Sequence, residues 1–134
     1  MLDELPESMD IGESISVTPA ADHLFTVDTE TGTKIDAGLK VIFHTNIAKL
    51  MFLSKRTRPD VQIPVAFLCT RVKEPDRDNW KKLGRIMKYL EGTIGLTLIL
   101  GIDDTGVVKW FVDASFAVHN DMKSHTVMFI SMGK

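Results

Sequence analysis

The feature that most constrains this chain is a helical apolar rhythm between residues 37 and 91, broken twice by the same punctuation, Arg58-Pro59-Asp60 and Glu74-Pro75-Asp76. Proline disfavours helical geometry in the residue before it and fits the first turn of a new helix, so each break ends one helix and opens the next. Before the first break, Leu39, Ile42, Phe43, Ile47, Leu50 and Met51 recur at steps of three and four, which predicts an amphipathic helix over residues 37–54. Between the breaks Val61, Val65, Leu68 and Val72 keep helical spacing to about Val72, and Pro64 is expected to kink this second helix or delay its start. After the second break a third helix, ending at Glu91, aligns Trp80, Leu83, Met87 and Leu90, with Lys81, Lys82, Arg85 and Lys88 elsewhere on its surface.

Past Gly92 the period changes. Residues 96–100 and 107–112 are apolar runs separated by Gly101-Ile102-Asp103-Asp104-Thr105-Gly106, the composition of two strands and a turn, and Val127-Met128-Phe129-Ile130 can pair beside the second of them. Residues 1–36 show scattered apolar side chains and a Thr18-Pro19 turn signal without a sustained period. They are expected to be extended or poorly ordered unless something holds them down. The expected fold class is α+β, a three-helix segment followed by a small antiparallel hairpin or meander, an incomplete fragment of a larger fold. It divides into an acidic connector at 1–36, a helical region at 37–92 and a strand-rich region at 93–134.

With 134 residues, 44% hydrophobic and 25% charged, the chain has the composition of one ordinary globular domain, which excludes wholesale disorder and fibrous classes. No apolar run approaches the eighteen or so residues of a membrane helix, and the acidic start MLDELPESMD is unlike a signal peptide. The expectation is an intracellular chain without membrane partners, and no sorting signal separates cytoplasm from nucleus. The single cysteine, Cys69, leaves no internal disulfide and no cysteine-based zinc cluster. The net charge of −2 conceals an asymmetry: residues 1–36 sum to −8, leaving +6 for the rest, and residues 55–88 hold ten bases against four acids. A clustered basic stretch is necessary for phosphate contact without being diagnostic of it, since solvated helix faces are basic too.

Asp113 is the candidate for chemistry, because it ends the strand Trp110-Phe111-Val112 with small residues after it, where a carboxylate can hold a divalent metal. The plain alternative is a strand-ending aspartate that starts a turn. Metal-assisted phosphoryl chemistry needs several carboxylates around two Mg2+ ions about 4 Å apart, and one aspartate does not make that site. Asp103-Asp104 mimics the aspartate doublet of a polymerase, but Asp and Gly are what a tight turn requires. His23, His44, His119 and His125 show no repeated ligand spacing, and His119 and His125 flank a polar loop with Asp121 and Lys123. Cys69 reads as a small core residue, and Met51, Met87 and the aromatics of the helical stripes read as packing. No glycine-rich phosphate loop, serine nucleophile elbow or His/Cys pair supports nucleotide hydrolysis or acyl transfer.

Four phrases in order carry a family resemblance: Thr18-Pro19-Ala20-Ala21-Asp22-His23-Leu24-Phe25, LSKRTRPDVQIPVAFLCTRVKEPD (53–76), WKKLGRIMKYLEGTIGL (80–96) and VVKWFVDASFAVHNDMKSHT (107–126). Together they resemble the Pol polyprotein of copia-type LTR retrotransposons over nearly the whole chain. In that family a helical region with KR-x-RPD closes the reverse transcriptase, a KKL-x-R-x-x-x-YL-x-GT helix follows, and a VDASFAVH-like strand opens RNase H. The resemblance implies that residues 37–92 form the thumb and connection side of the polymerase. Lys55, Arg56, Arg58, Lys81, Lys82, Arg85 and Lys88 would then contact a DNA template-primer or an RNA·DNA hybrid through phosphates. It also implies that Asp113 is the first metal-binding carboxylate of RNase H, with Mg2+ serving the intact parent enzyme and no cofactor expected for this fragment. The rest of the Pol protein is the implied partner. Val127-Met128 replaces a Gly-Gly pair of the family, and Pro64 stands where a helix former is usual, departures that fit a decaying copy. The alternative reading is a small nucleic-acid-binding module retained by a host, or a relic without function.

Overall fold

A computed structural model of the chain describes residues 15–27, 33–102, 106–117 and 122–133, and places in them three helices followed by a two-stranded antiparallel sheet, an α+β arrangement. Helix α1, Ala37–Arg56, starts where Asp36 accepts a 2.8 Å hydrogen bond from the Leu39 amide, satisfying one of the open N–H groups of a first turn. It ends where the Thr57 amide bonds the Leu53 carbonyl, and Lys55 and Arg56 fill the last turn, the favourable end of the helix dipole for cations. The helix runs two residues beyond the expected residue 54. Its inner face carries Phe43, Asn46, Ile47, Leu50 and Ser54, whereas Met51, expected to pack, is largely exposed.

The first proline break becomes a short 3-10 turn, Pro59–Val61, and α2 follows as Gln62–Cys69. Pro64 therefore sits in the first turn of α2, where its missing N–H would have had no intrahelical partner, and no kink is needed. The helix stops at Cys69 rather than Val72, because turn hydrogen bonds from the Thr70 and Arg71 amides to Phe67 and Leu68 tighten its end. Helix α3, Arg77–Gly92, is capped by Asp76, which accepts from the Asn79 amide at 2.7 Å and from the Asn79 side chain.

The three helices bury one cluster of Phe43, Ile47 and Leu50 from α1, Val65, Phe67 and Leu68 from α2, and Leu83, Ile86, Met87 and Leu90 from α3, with Val61 between. Complete burial of side chains of this size stabilises by about 1.5–3 kcal/mol each relative to exposure, so this cluster is what holds the fold. Residues 15–27 form neither helix nor strand, yet they are held down: Leu24 enters the cluster, and Phe25 meets the Phe67 ring edge-on at 5.9 Å. Residues 33–35 are pinned to the start of α3 by hydrogen bonds from the Ile35 amide to the Pro75 carbonyl and from the Arg77 amide to the Thr33 carbonyl.

Strand β1, Lys109–Ser115, pairs with β2, His125–Ser131, in a register that sets Trp110 against Ile130, Phe111 against Phe129 and Val112 against Met128. The expected strand at 96–100 pairs with neither; residues 96–102 run irregularly beside the sheet. The pairing of 127–130 beside the 107–112 strand is as the sequence predicts, with aromatic and β-branched cross-strand pairs over seven residues, whereas the short run with three leucines offers fewer such pairs for the other edge of β1. The hairpin turn therefore lies after residue 115 instead of at 101–106.

Candidate functional site

Of the seven cations singled out in the sequence, Arg58 is the most firmly engaged inside the protein. Only 8% exposed, it leaves α1 just before the 3-10 turn and points its guanidinium at the C-terminal end of α3. Its Nε donates to Asp60 Oδ1 at 3.1 Å and its Nη2 to Asp60 Oδ2 at 2.8 Å, while Nη1 and Nη2 reach the Thr93 carbonyl and hydroxyl at 3.2 and 2.7 Å. The Tyr89 ring lies 5.4 Å below the guanidinium, and its hydroxyl donates to Asp60 Oδ2 at 2.8 Å. The bidentate fork beside it holds the Asp60 carboxyl below its usual range, and the hydrogen bond to Asp60 raises the Tyr89 phenol. Arg58 is thus a clasp between the first proline break and the end of α3. Asp60, Tyr89 and Thr93 carry no site role in the sequence reading; an Arg and an Asp two residues apart around a proline are the only local signal of the clasp.

Lys82 and Arg85 hold the N-terminal stretch against α3. Lys82, 9% exposed, pairs with Asp78 at 2.7 Å, donates to the Thr26 carbonyl at 2.7 Å, and lies 4.8 Å over the Phe67 ring. Half-buried Arg85 donates through Nε to the Thr18 carbonyl at 3.2 Å and through Nη2 to the Thr18 hydroxyl at 2.9 Å. Lys81, one position before Lys82, is exposed. Where residues 19–24 cross this face, they enclose with Asp78, Lys81, Lys82 and Arg85 a pocket of about 180 Å³.

Lys55 and Arg56 are exposed at the end of α1, Arg56 lying 5.5 Å over the Phe52 ring, and they border a groove shared with Gln62 and β2. Lys88 is half-buried on α3. The structure therefore gathers Lys81, Lys82 and Arg85 in one place and Lys55 and Arg56 in another.

Asp113 is exposed on β1, paired in the ladder with Val127. Among the described residues no three His, Cys, Asp or Glu side chains converge as metal ligands, so Asp113 by itself does not fit a pair of Mg2+ ions. Asp103, Asp104, His119 and Asp121 lie outside the described residues. His23 and His44 are exposed. Cys69 is half-buried with its Sγ 3.9 Å from the Met51 sulfur, and burial pushes its thiol up, away from reactivity. No described helix is long and apolar enough to cross a membrane.

Comparison with known proteins gives two similarities. The chain is 27% identical over 116 residues, 84% of its length, to the retrovirus-related Pol polyprotein from transposon TNT 1-94 of Nicotiana tabacum, and covers 9% of that protein. It is 29% identical over 87 residues, 65% of its length, to an uncharacterized mitochondrial protein of Arabidopsis thaliana, and covers 36% of it. The chain thus spans well under half of either relative. No protein-family model and no solved structure matches it. At this level the chain is related to a retrotransposon Pol polyprotein.

Proposed function

We propose that this chain corresponds to the stretch of a copia-type Pol polyprotein where the reverse transcriptase ends and RNase H begins. The carrying observation is the order of the four quoted phrases along nearly the whole chain. On this reading residues 37–92 belong to the thumb and connection side, and residues 93–134 to the opening strands of RNase H. In the intact protein such a region serves RNA-directed DNA synthesis and hydrolysis of RNA in a hybrid, and the fragment on its own contacts the nucleic acid without acting on it.

The division of labour among the cations sharpens the proposal. Arg58 and Lys82 spend their donors within the fold, so phosphate contact falls to exposed Lys55, Arg56 and Lys81. Each phosphate contact contributes about −0.9 to the slope of log affinity against log salt on a B-form duplex, a fair guide for a hybrid. Removing the three together is expected to flatten that slope by roughly 2–3, read by fluorescence anisotropy on a labelled RNA·DNA hybrid. An unchanged slope in K55Q/R56Q/K81Q sinks the nucleic-acid contact. Hybrid cleavage in Mg2+ is expected to be absent, and reproducible cleavage abolished by Asp113→Asn would show that the isolated chain is an enzyme.

A further inference from the structure

We propose that the pocket formed where residues 19–24 cross α3 is a binding site for a single phosphate group. Three cations border it, Lys81, Lys82 and Arg85, against one carboxylate, Asp78. Asp78 is already committed to Lys82 at 2.7 Å. Among the described residues Arg85 donates to the neutral oxygens of Thr18, which satisfy two of its five N–H groups and none of its charge. Lys81 makes no ion pair with any described residue. Among the described lining residues this leaves a surplus of two positive charges, one on a fork shaped for bidentate oxygen contact and one on an exposed ammonium.

Size sets the ligand class. Sites for nucleotide- or drug-sized molecules run to about 300–1,000 Å³. At about 180 Å³ this pocket is the size for a phosphate group rather than for a whole nucleotide. The charge is placed where it is focused, because beside the cations the lining is Pro19, Ala20, Ala21 and Leu24, apolar groups of low polarisability, with His23 the one polar side chain that residues 19–24 add. The residues that close the pocket come from segments more than fifty positions apart, and Lys82 bound to the Thr26 carbonyl and Arg85 bound to Thr18 fix that crossing. The site thus exists before a ligand arrives. The phosphate can be free or part of a nucleic-acid backbone, and the proposal does not depend on the Pol reading.

The test is titration of the full chain with inorganic phosphate at constant ionic strength, followed by amide chemical shifts in residues 18–24 and 78–85. Saturable shifts in phosphate that chloride does not reproduce are expected. Lys81→Gln and Arg85→Gln should each weaken binding about tenfold, the factor for loss of one charge-assisted hydrogen bond. Lys81→Glu should abolish it. Lys40→Gln, exposed on α1 and not part of the pocket lining, should leave it unchanged. Because Arg85→Gln can loosen the 15–27 segment, exposed Lys81 decides the matter if that variant is unfolded. A non-saturating drift that chloride matches, or unaltered binding in Lys81→Glu, overturns the proposal. A short oligothymidylate then identifies the source: displacement of phosphate supports a backbone phosphate in the pocket, and phosphate retained beside bound oligonucleotide supports a free anion.

Discussion

Replacing Arg58 by alanine separates a structural cation from a nucleic-acid contact. The substitution removes five hydrogen bonds, three to the Asp60 carboxylate and two to Thr93, together with the stacking on Tyr89. Hydrogen bonds to charged groups contribute about 1.5–3 kcal/mol each in isolation. They do not add here, because the Asp60 side chain is 30% exposed and water replaces part of what it loses. A loss of about 3 kcal/mol is a reasonable magnitude, against the roughly 5–15 kcal/mol that a small domain has in total. With a urea slope of about 1–3 kcal/mol/M, the midpoint of helix unfolding by circular dichroism should fall by roughly 1–3 M. Arg58→Lys keeps the charge but not the fork, and should fall about halfway between. A double-mutant cycle with Asp60→Ala should give a coupling of about 1–2 kcal/mol. If Arg58→Ala instead stays within about 0.5 kcal/mol of the parent, as an ordinary surface change does, the clasp is wrong. If it also weakens binding to a hybrid, the guanidinium serves phosphate after all.

Two further outcomes follow from the same geometry. Because Asp60 titrates below its unfolded value, its contribution to stability is fully present above the ordinary carboxylate range near pH 4 and is lost as pH falls through the lower folded value. The acid limb of the unfolding curve should therefore flatten in Asp60→Asn, and an identical limb in both proteins refutes the pairing. At the end of β2 a Cβ on Gly133 would run into the Gly101 backbone, whereas one on Gly101 meets open space. Gly133→Ala should speed hydrogen exchange in residues 98–102 and leave the helical core unchanged, with Gly101→Ala as the silent control; equal exchange in both shows that the two segments do not pack as described.

The helical half of the molecule was written plainly in local sequence. Apolar spacing selected Phe43, Leu50, Leu83 and Leu90 for the interior, and Asp36 and Asp76 cap α1 and α3 through bonds that span only three residues. Such interactions are local, so a linear reading reaches them. The strand composition of 93–134 was equally visible, and so was the pairing of 127–130 beside 107–112; what composition could not say is that 96–100 forms no ladder on the other edge of β1. The roles of the basic residues were decided still later. A sequence gives Arg58, Lys82 and Lys81 the same charge, and only the fold brings Thr93 and Thr26 to the first two while leaving the third exposed. Charge is a property of the residue, but its availability depends on which distant oxygens packing delivers to it.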